Sequence, residues 1–349
     1  MRIARTSEYL HVSQLPFVDP TKTREVKVLR NERSLLGCRF DPTGRFVFAG
    51  GEANWVNRWE LFRDIPCKMQ AHDSWVRAIA FHQPENCVFT GGYDGRVFCW
   101  PYNSDRPEPS WDFLAHTGWV RSMIASPDQT LLATTGNDNL VKLWSIKDRE
   151  LVHVLSGHGS HVYNAAFHPD GRHLASTDLH GIVKHWEVHT GKHLRDLDAG
   201  SLYKYDGGFR AHIGGARGMT FSPDGRFVAC SGITNVTNAF AGVGNPQVIL
   251  FDWFTGQRKE LFKPEKDFRG VAWGITFHPA GFMIGAGGGG SGGAIWFWNV
   301  TQPIPFFTFK LPSPARDLDL HPNGLQIATA LYDRTLRVYD LTAEPPASS

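Results

Sequence analysis

Nine of the 16 histidines in this 349-residue chain fall between His153 and His193. Imidazole ligates zinc and titrates near neutral pH, so such crowding could mark a metal centre or a proton-transfer site. His158, His161 and His180 could converge on one ion, and His161, His180 or Asp178 could act as acid, base or ligand. Each has a plainer use. His168 sits in a Phe-His-Pro turn, as do His278 and, after Leu, His321. A pH-sensitive loop contact fits the cluster better than a metal does. Catalysis would need carboxylates or histidines from several segments to meet at one point, and no such constellation stands out. The chain is expected to be no enzyme and to hold no metal or cofactor.

Two other patterns could carry chemistry. The run from Gly285 to Gly293 contains GxGxxG, the spacing of a dinucleotide-binding turn. That turn works only between a strand and a helix N-terminus, which holds the pyrophosphate. Here the run leads into Ala294-Ile-Trp-Phe-Trp298, which reads as a strand, so a flexible turn is expected instead. The five cysteines, Cys38, Cys67, Cys87, Cys99 and Cys230, are odd in number and stand in apolar strand-like runs. They read as buried free thiols, which implies a reducing compartment, taken here as the cytoplasm. The N-terminus lacks the apolar run of a secretory signal. Asn235-Val-Thr and Asn299-Val-Thr then match the glycosylation pattern by accident. No stretch approaches the roughly 20 apolar residues of a membrane span. A formal charge of +2 argues against a coat for nucleic acid or anionic membrane.

The elements that must position these residues come from a repeat. Seven times a hydrophobic residue, a Pro-containing turn and two strand-like runs end in an aromatic. The units are Phe40…Trp59, Phe81…Trp100, Ala125…Trp144, Phe167…Trp186, Phe221…Phe251, Phe277…Trp298 and Leu320…Tyr339. In five units the ends are 19 residues apart, and starts recur every 41 to 44 residues except around the fifth, where the spacing is 54 and 56. A period of about 40–45 residues ending in Trp is the mark of a four-stranded propeller blade. Gly 36 and Pro 21 suit short strands and turns. The fold expected is all-β, a seven-bladed β-propeller with each blade a four-stranded antiparallel sheet. After Tyr339 the seventh blade lacks an outer strand, while Arg24-Glu-Val-Lys-Val-Leu-Arg30 has no partner. That N-terminal strand should complete blade seven by pairing near residues 335–339, which removes a free sheet edge. Residues 24–341 then form the ring, 1–23 a leader, and 342–349 a flexible C-terminal tail.

The units resemble WD-repeat β-propellers over most of the chain. In that family a His before the first strand, a Ser or Thr in the second, an Asp in the next turn and a terminal Trp form a hydrogen-bonded set. Two blades carry all four: His72, Thr90, Asp94, Trp100 and His116, Thr134, Asp138, Trp144. Blade four keeps His158, Ser176 and Trp186, with His180 where Asp is expected. Blade five keeps His212 but has Cys230 and Phe251. Blade seven has Thr329, Asp333 and Tyr339 without a His. Blades one, five and six should depend mainly on apolar packing.

The resemblance also implies that the loops entering each first strand, and those joining strands two and three, open on one face around the channel. Trp75, Arg77, Tyr93, Trp119, Arg121, His161, Tyr163, Arg217, Trp273, Arg316 and Tyr332 would stand there. Trp, Tyr and Arg are the types enriched in binding hot spots. Four arginines at one mouth favour an acidic or phosphorylated peptide. Alternatively, Trp75 and Trp119 simply pack on neighbouring blades. Two insertions, Ala199–Arg210 and Gly232–Pro246, belong to the same loop types and would hang Tyr203, Tyr205, Phe209 and Phe240 over the channel. The function expected is a non-enzymatic scaffold binding a peptide or protein partner on this face. The alternatives are an enzyme or metal site at the channel mouth near blade four, and single-stranded nucleic-acid binding by stacking on Trp75, Trp119 and Tyr163.

Overall fold

The computed structural model describes residues 18–63, 66–238, 243–264 and 268–342. Seven four-stranded antiparallel sheets follow one another along the chain. Blade two is typical, with strands Val76–His82, Cys87–Gly92, Arg96–Pro101 and Trp111–Leu114. Inner strands are apolar on both faces because blades cover them on each side: all six residues of Phe46–Gly51 and of Cys87–Gly92 are buried. Outer strands have one wet face, and Leu151–Leu155 leaves Leu151, Val152 and Val154 exposed. The core lies between blades. One buried cluster joins Trp59, Phe40 and Val47 of blade one to Leu336 and Val338 of blade seven.

The ring closes as the unpaired N-terminal run requires. Strand Arg24–Arg30 lies antiparallel to Thr335–Asp340, from Arg24 opposite Asp340 to Arg30 opposite Thr335, with one register shift between Glu25 and Lys27. Leu29, buried in the same cluster, is the apolar anchor of this seam. Just outside it, Val18 bridges Thr342, and the Asp19 amide donates to the Leu341 carbonyl at 2.9 Å.

Hydrogen-bonded sets brace three blades. His72 Nδ1–H donates to Asp94 at 2.9 Å, the Thr90 hydroxyl donates to Nε2 at 2.9 Å, and Trp100 Nε1–H donates to that hydroxyl at 2.9 Å. His116, Asp138, Thr134 and Trp144 repeat the arrangement at 2.7, 2.8 and 3.0 Å. Blade four departs from its sequence reading. Its carboxylate is Asp178, 3.0 Å from His158 Nδ1, while Ser176 bonds His158 and Trp186 at 2.7 Å each. Asp178 follows Ser176 by two residues, where Gly92 follows Thr90. A Cβ on Gly92 would lie 2.5 Å from Asp94 Oδ1 and from His72 Nδ1. The same pocket is thus filled from the strand in blade four and from the turn in blade two. His180 is left outside the set.

The inserted segments form elements of their own. The first supplies one side of a hairpin, Tyr203–Asp206, which pairs with Ala211–Gly214 and so takes in His212. His212 therefore braces no blade, and its Nδ1 bonds the Tyr203 hydroxyl at 2.7 Å. The second lengthens blade five's middle strands to Phe227–Asn238 and Val243–Asp252. Phe240 lies outside the described residues. The glycine run is mostly strand rather than flexible turn: Phe282–Gly289 pairs with Gly292–Asn299 down to Gly289 opposite Gly292. Glycine is needed there for close approach, since a Cβ on Gly285 would meet the Trp298 ring at 2.6 Å.

Candidate peptide-binding face

The first strand opens one residue after Trp75, Trp119, His161 and Pro314 in blades two, three, four and seven, at Val271 in blade six, and at Gly218, just after Arg217, in blade five. Alternate residues of such a strand point the same way. In blades two to seven this brings Arg77, Arg121, Tyr163, Arg217, Trp273 and Arg316 toward a common mouth. All six, together with Tyr93, take part in contacts between rings and guanidinium groups. Arg121 lies over Trp119 at 4.5 Å and Tyr163 at 4.6 Å, with Tyr93 at 5.9 Å. Arg217 lies over Tyr163 at 4.7 Å and Trp273 at 5.1 Å, and Arg77 faces Trp273 at 5.8 Å. A cavity of about 200 Å³ is lined by Arg77, Tyr93, Arg121, Tyr163, Arg217, Trp273 and Arg316.

The remaining sequence candidates stand around this cavity. Trp119 stacks flat on Tyr93, ring centroids 4.0 Å apart, and Trp75 leans on Tyr93 at 6.0 Å. Both tryptophans stay exposed, at 44% for Trp75 and 39% for Trp119. They therefore pack on a neighbour and present a surface as well. Tyr332, also exposed, lies under Arg316 at 4.7 Å. His161 is turned aside, its Nδ1–H donating to the Asn137 carbonyl at 2.7 Å.

Charge distinguishes the arginines. Arg316 is paired with Glu52 at 2.7 Å. Among the described residues Arg77 donates only to the Leu36 carbonyl at 3.3 Å, and Arg121 only to the Asn137 amide oxygen at 2.6 Å. Among the described residues no carboxylate lies within ion-pair distance of Arg77, Arg121 or Arg217. Arg217 Nε is buried without a hydrogen-bond acceptor. Desolvation pulls the Arg121 guanidinium below its usual pKa, and the like charges of Arg217 and Arg77 act in the same direction, against the Tyr163 and Tyr93 phenols. Three like-charged guanidinium groups thus face one another across the mouth, with no carboxylate paired to them among the described residues.

An adjoining cavity of about 460 Å³ shares Arg77, Arg121 and Arg217 with the first, and its wall also includes Arg39, Asp317 and Asp319. Arg39 pairs with Asp317 at 2.6 Å, and Asp319 accepts the Phe40 amide at 2.8 Å. Burial pushes the Asp319 carboxyl up to about 6, with Arg39 opposing. Sequence reasoning missed Glu52, Arg39 and the two aspartates. A signal existed for Glu52, which follows Gly50-Gly51 as Tyr93 follows Gly91-Gly92.

The blade-four histidines do not assemble a metal site as a trio. His158 has both ring nitrogens occupied, His161 faces Asn137, and His180 packs against Tyr203 and His212 at 4.9 and 5.0 Å. Ile213 of the inserted hairpin packs instead with Ile233 and Val236 of the lengthened strand Phe227–Asn238 and with Val271 and Trp273 of blade six, the Trp273 ring also lining the cavity. Tyr205 and Phe209 remain exposed on the hairpin.

A ring of seven four-stranded blades, three of them braced by His, Ser or Thr, Asp and Trp, defines the class as a repeat β-propeller. The family described as WD domain, G-beta repeat matches residues 65–101, 107–145, 149–187 and 305–340. The chain thus carries WD repeats within a seven-bladed β-propeller. It is similar to apoptotic protease-activating factor 1, at 32% identity with the human protein over 232 residues, 64% of this chain and 18% of that protein. With the rat protein the identity is 27% over 202 residues, 58% of this chain and 16% of the relative. Protein HIR1 of Eremothecium gossypii is 24% identical over 212 residues, 54% of this chain and 24% of that protein. The chain spans less than a quarter of the length of each of these relatives. Proteins of this repeat family are typically protein-interaction scaffolds, and the fold is generally non-enzymatic. Among the described residues no helix is long and apolar enough to cross a membrane.

Proposed function

We propose that this chain is a non-enzymatic scaffold that captures an acidic or phosphorylated peptide segment of a protein partner at the channel mouth. The observation that carries this reading is the group of Arg77, Arg121 and Arg217 around one cavity, with no carboxylate within ion-pair distance of them among the described residues. Guanidinium groups bind carboxylate and phosphate in bidentate fashion, and an incoming anion would relieve their mutual repulsion. Tyr93, Trp119 and Trp273 supply the rigid apolar contacts that hold the flanking residues of a peptide. Five unpaired cysteines fit a reducing compartment, and we place the protein in the cytoplasm on that basis.

The test is binding to a peptide library holding phosphorylated, acidic and neutral versions of each sequence. The parent should enrich the phosphorylated or acidic versions. Arg77→Ala/Arg121→Ala should lose that enrichment, with an unfolding free energy within about 1 kcal/mol of the parent because neither arginine is fully buried. Equal capture of neutral peptides, or undiminished capture by the variant, would place the working surface elsewhere.

A further inference from the structure

At the opposite end of blade two from the arginine mouth, a histidine breaks a pattern that its counterparts keep. His168, His278 and His321 each follow the last apolar residue of a first strand. Each is hydrogen-bonded through Nε2 to the carbonyl of a turn glycine in the next blade: Gly225 at 2.9 Å, Gly324 at 2.7 Å and Gly44 at 2.9 Å. Each accepts at Nδ1 the amide two residues on, from Asp170, Ala280 and Asn323 at 3.2, 3.0 and 3.1 Å. These imidazoles are fully used.

His82 occupies the same position in blade two, after Phe81. Two residues on stands Pro84, which has no N–H to give. The turn is rebuilt accordingly, with Asn86 at φ 49° and its amide on the Gln83 carbonyl at 3.1 Å. Across the blade seam the facing turn has Gln129 rather than glycine, and its side chain accepts the Gln83 amide at 3.1 Å. His82 is only 5% exposed, and its Nδ1 is buried with no hydrogen-bond partner. A buried ring nitrogen left in that state costs free energy unless something binds it.

The rebuilt turn and the strand after it set two further donor groups beside His82. Glu85 Oε2 lies 3.8 Å from His82 Nδ1. Cys87 is the cross-strand partner of His82, so the two side chains share a face. Donor atoms of His82, Glu85 and Cys87 all lie within 4.8 Å of one another. Donors on a tetrahedral zinc ion at roughly 2.0–2.3 Å stand about 3.3–3.8 Å apart, so modest closure brings the three into range. The Cys99 thiol, on the neighbouring strand, touches that of Cys87 and makes the surroundings sulfur-rich.

We propose that His82, Glu85 and Cys87 form a zinc-binding site that pins the turn between the first two strands of blade two. One imidazole, one carboxylate and one thiolate favour zinc over calcium or magnesium, which take oxygen. Binding would release the Cys87 proton, leave the orphaned Nδ1 satisfied and add one net positive charge. A fourth position stays open to water or to Cys99. The similar group of His168, Asp170 and His173 is not an equal candidate, because both His168 nitrogens are already committed.

The test is cobalt titration of the full-length chain, purified metal-free and reduced. One equivalent should bind with a near-ultraviolet thiolate-to-cobalt band and intense tetrahedral visible bands, and zinc should bleach both. Glu85→Gln, at an exposed position, should weaken cobalt binding about tenfold or more without altering the fold. Cys87→Ser should abolish the thiolate band, and His173→Ala should leave it intact. Absence of a thiolate band from a chain that melts as a folded protein would overturn the site. So would a band that survives Glu85→Gln at unchanged affinity. If Cys87→Ser fails to fold, the band and its response to Glu85→Gln still decide the matter.

Discussion

Asp178 and Asp94 grip equivalent imidazoles from different backbone positions, so at the residue scale the identity of an atom's neighbour outranks its place in a motif. Sequence spacing alone put His180 in the carboxylate slot of blade four, two residues beyond the side chain that fills it. Asp178 is 1% exposed and Asp94 is held below the ordinary carboxylate range. For Asp94, burial opposes ionisation, but the His72 N–H and the Asp73 and Arg96 amides outweigh it. Asp178→Ala should therefore destabilise the chain by about 1–3 kcal/mol, as should Asp94→Ala, by leaving a buried N–H unpaired. His180→Ala should change stability within about ±0.5 kcal/mol. Urea unfolding of the three variants separates the assignments: an Asp178→Ala midpoint equal to the parent's would remove Asp178 from the set. The same lesson applies to His82, whose type and position match three structural histidines and whose neighbours do not.

At the scale of elements, each blade's strands and turns follow from local rules, but what an insertion becomes does not. Alternation and the Pro-containing turns mark the strands wherever the period holds. The stretch Ala199–Arg210 has no such period, and it became half of a hairpin because Ile213 could bury against Ile233 and Val236 of the neighbouring strands. The closing strand is the element with most at stake. Arg24–Arg30 exposes Glu25, Val26, Val28 and Arg30 and buries Leu29 against blades one and seven. Leu29→Ala should cost about 2–5 kcal/mol by leaving a cavity in the seam. It should also raise hydrogen exchange in residues 335–340, whose amides pair with this strand. Exchange spread evenly over all seven blades would instead mean that the ring opens at no preferred seam.

The whole molecule titrates as a sum of opposed groups, and blade seams decide the signs. His185, wedged 4.1 Å from Trp253 with neither ring nitrogen bonded, is lowered to about 3 by burial first and then by the charges of Arg195, His173 and His168. Unfolded, it would titrate near about 6.5. The unfolded chain then binds the extra proton, so His185's contribution is complete above that value and is lost as pH falls from about 6.5 toward 3. Asp319, raised to about 6, works the other way: its contribution is present at low pH and is lost as pH rises through 6. His185→Phe removes one side of this balance and two orphaned nitrogens. The variant should melt higher than the parent, with the gap widening between pH 7 and pH 4.5; a constant gap would show that His185 is not the titrating group. Blade count, strand order, the closing strand and the braces of blades two and three were set by sequence alone, because they depend on period, turn chemistry and residues about 20 positions apart. The pairing of Glu52 with Arg316 joins residues 264 positions apart. That separation, the unpaired arginines at the mouth and the orphaned nitrogens of His82 and His185 were decided only when the ring brought distant blades together, since electrostatics and hydrogen bonding depend on distance in space.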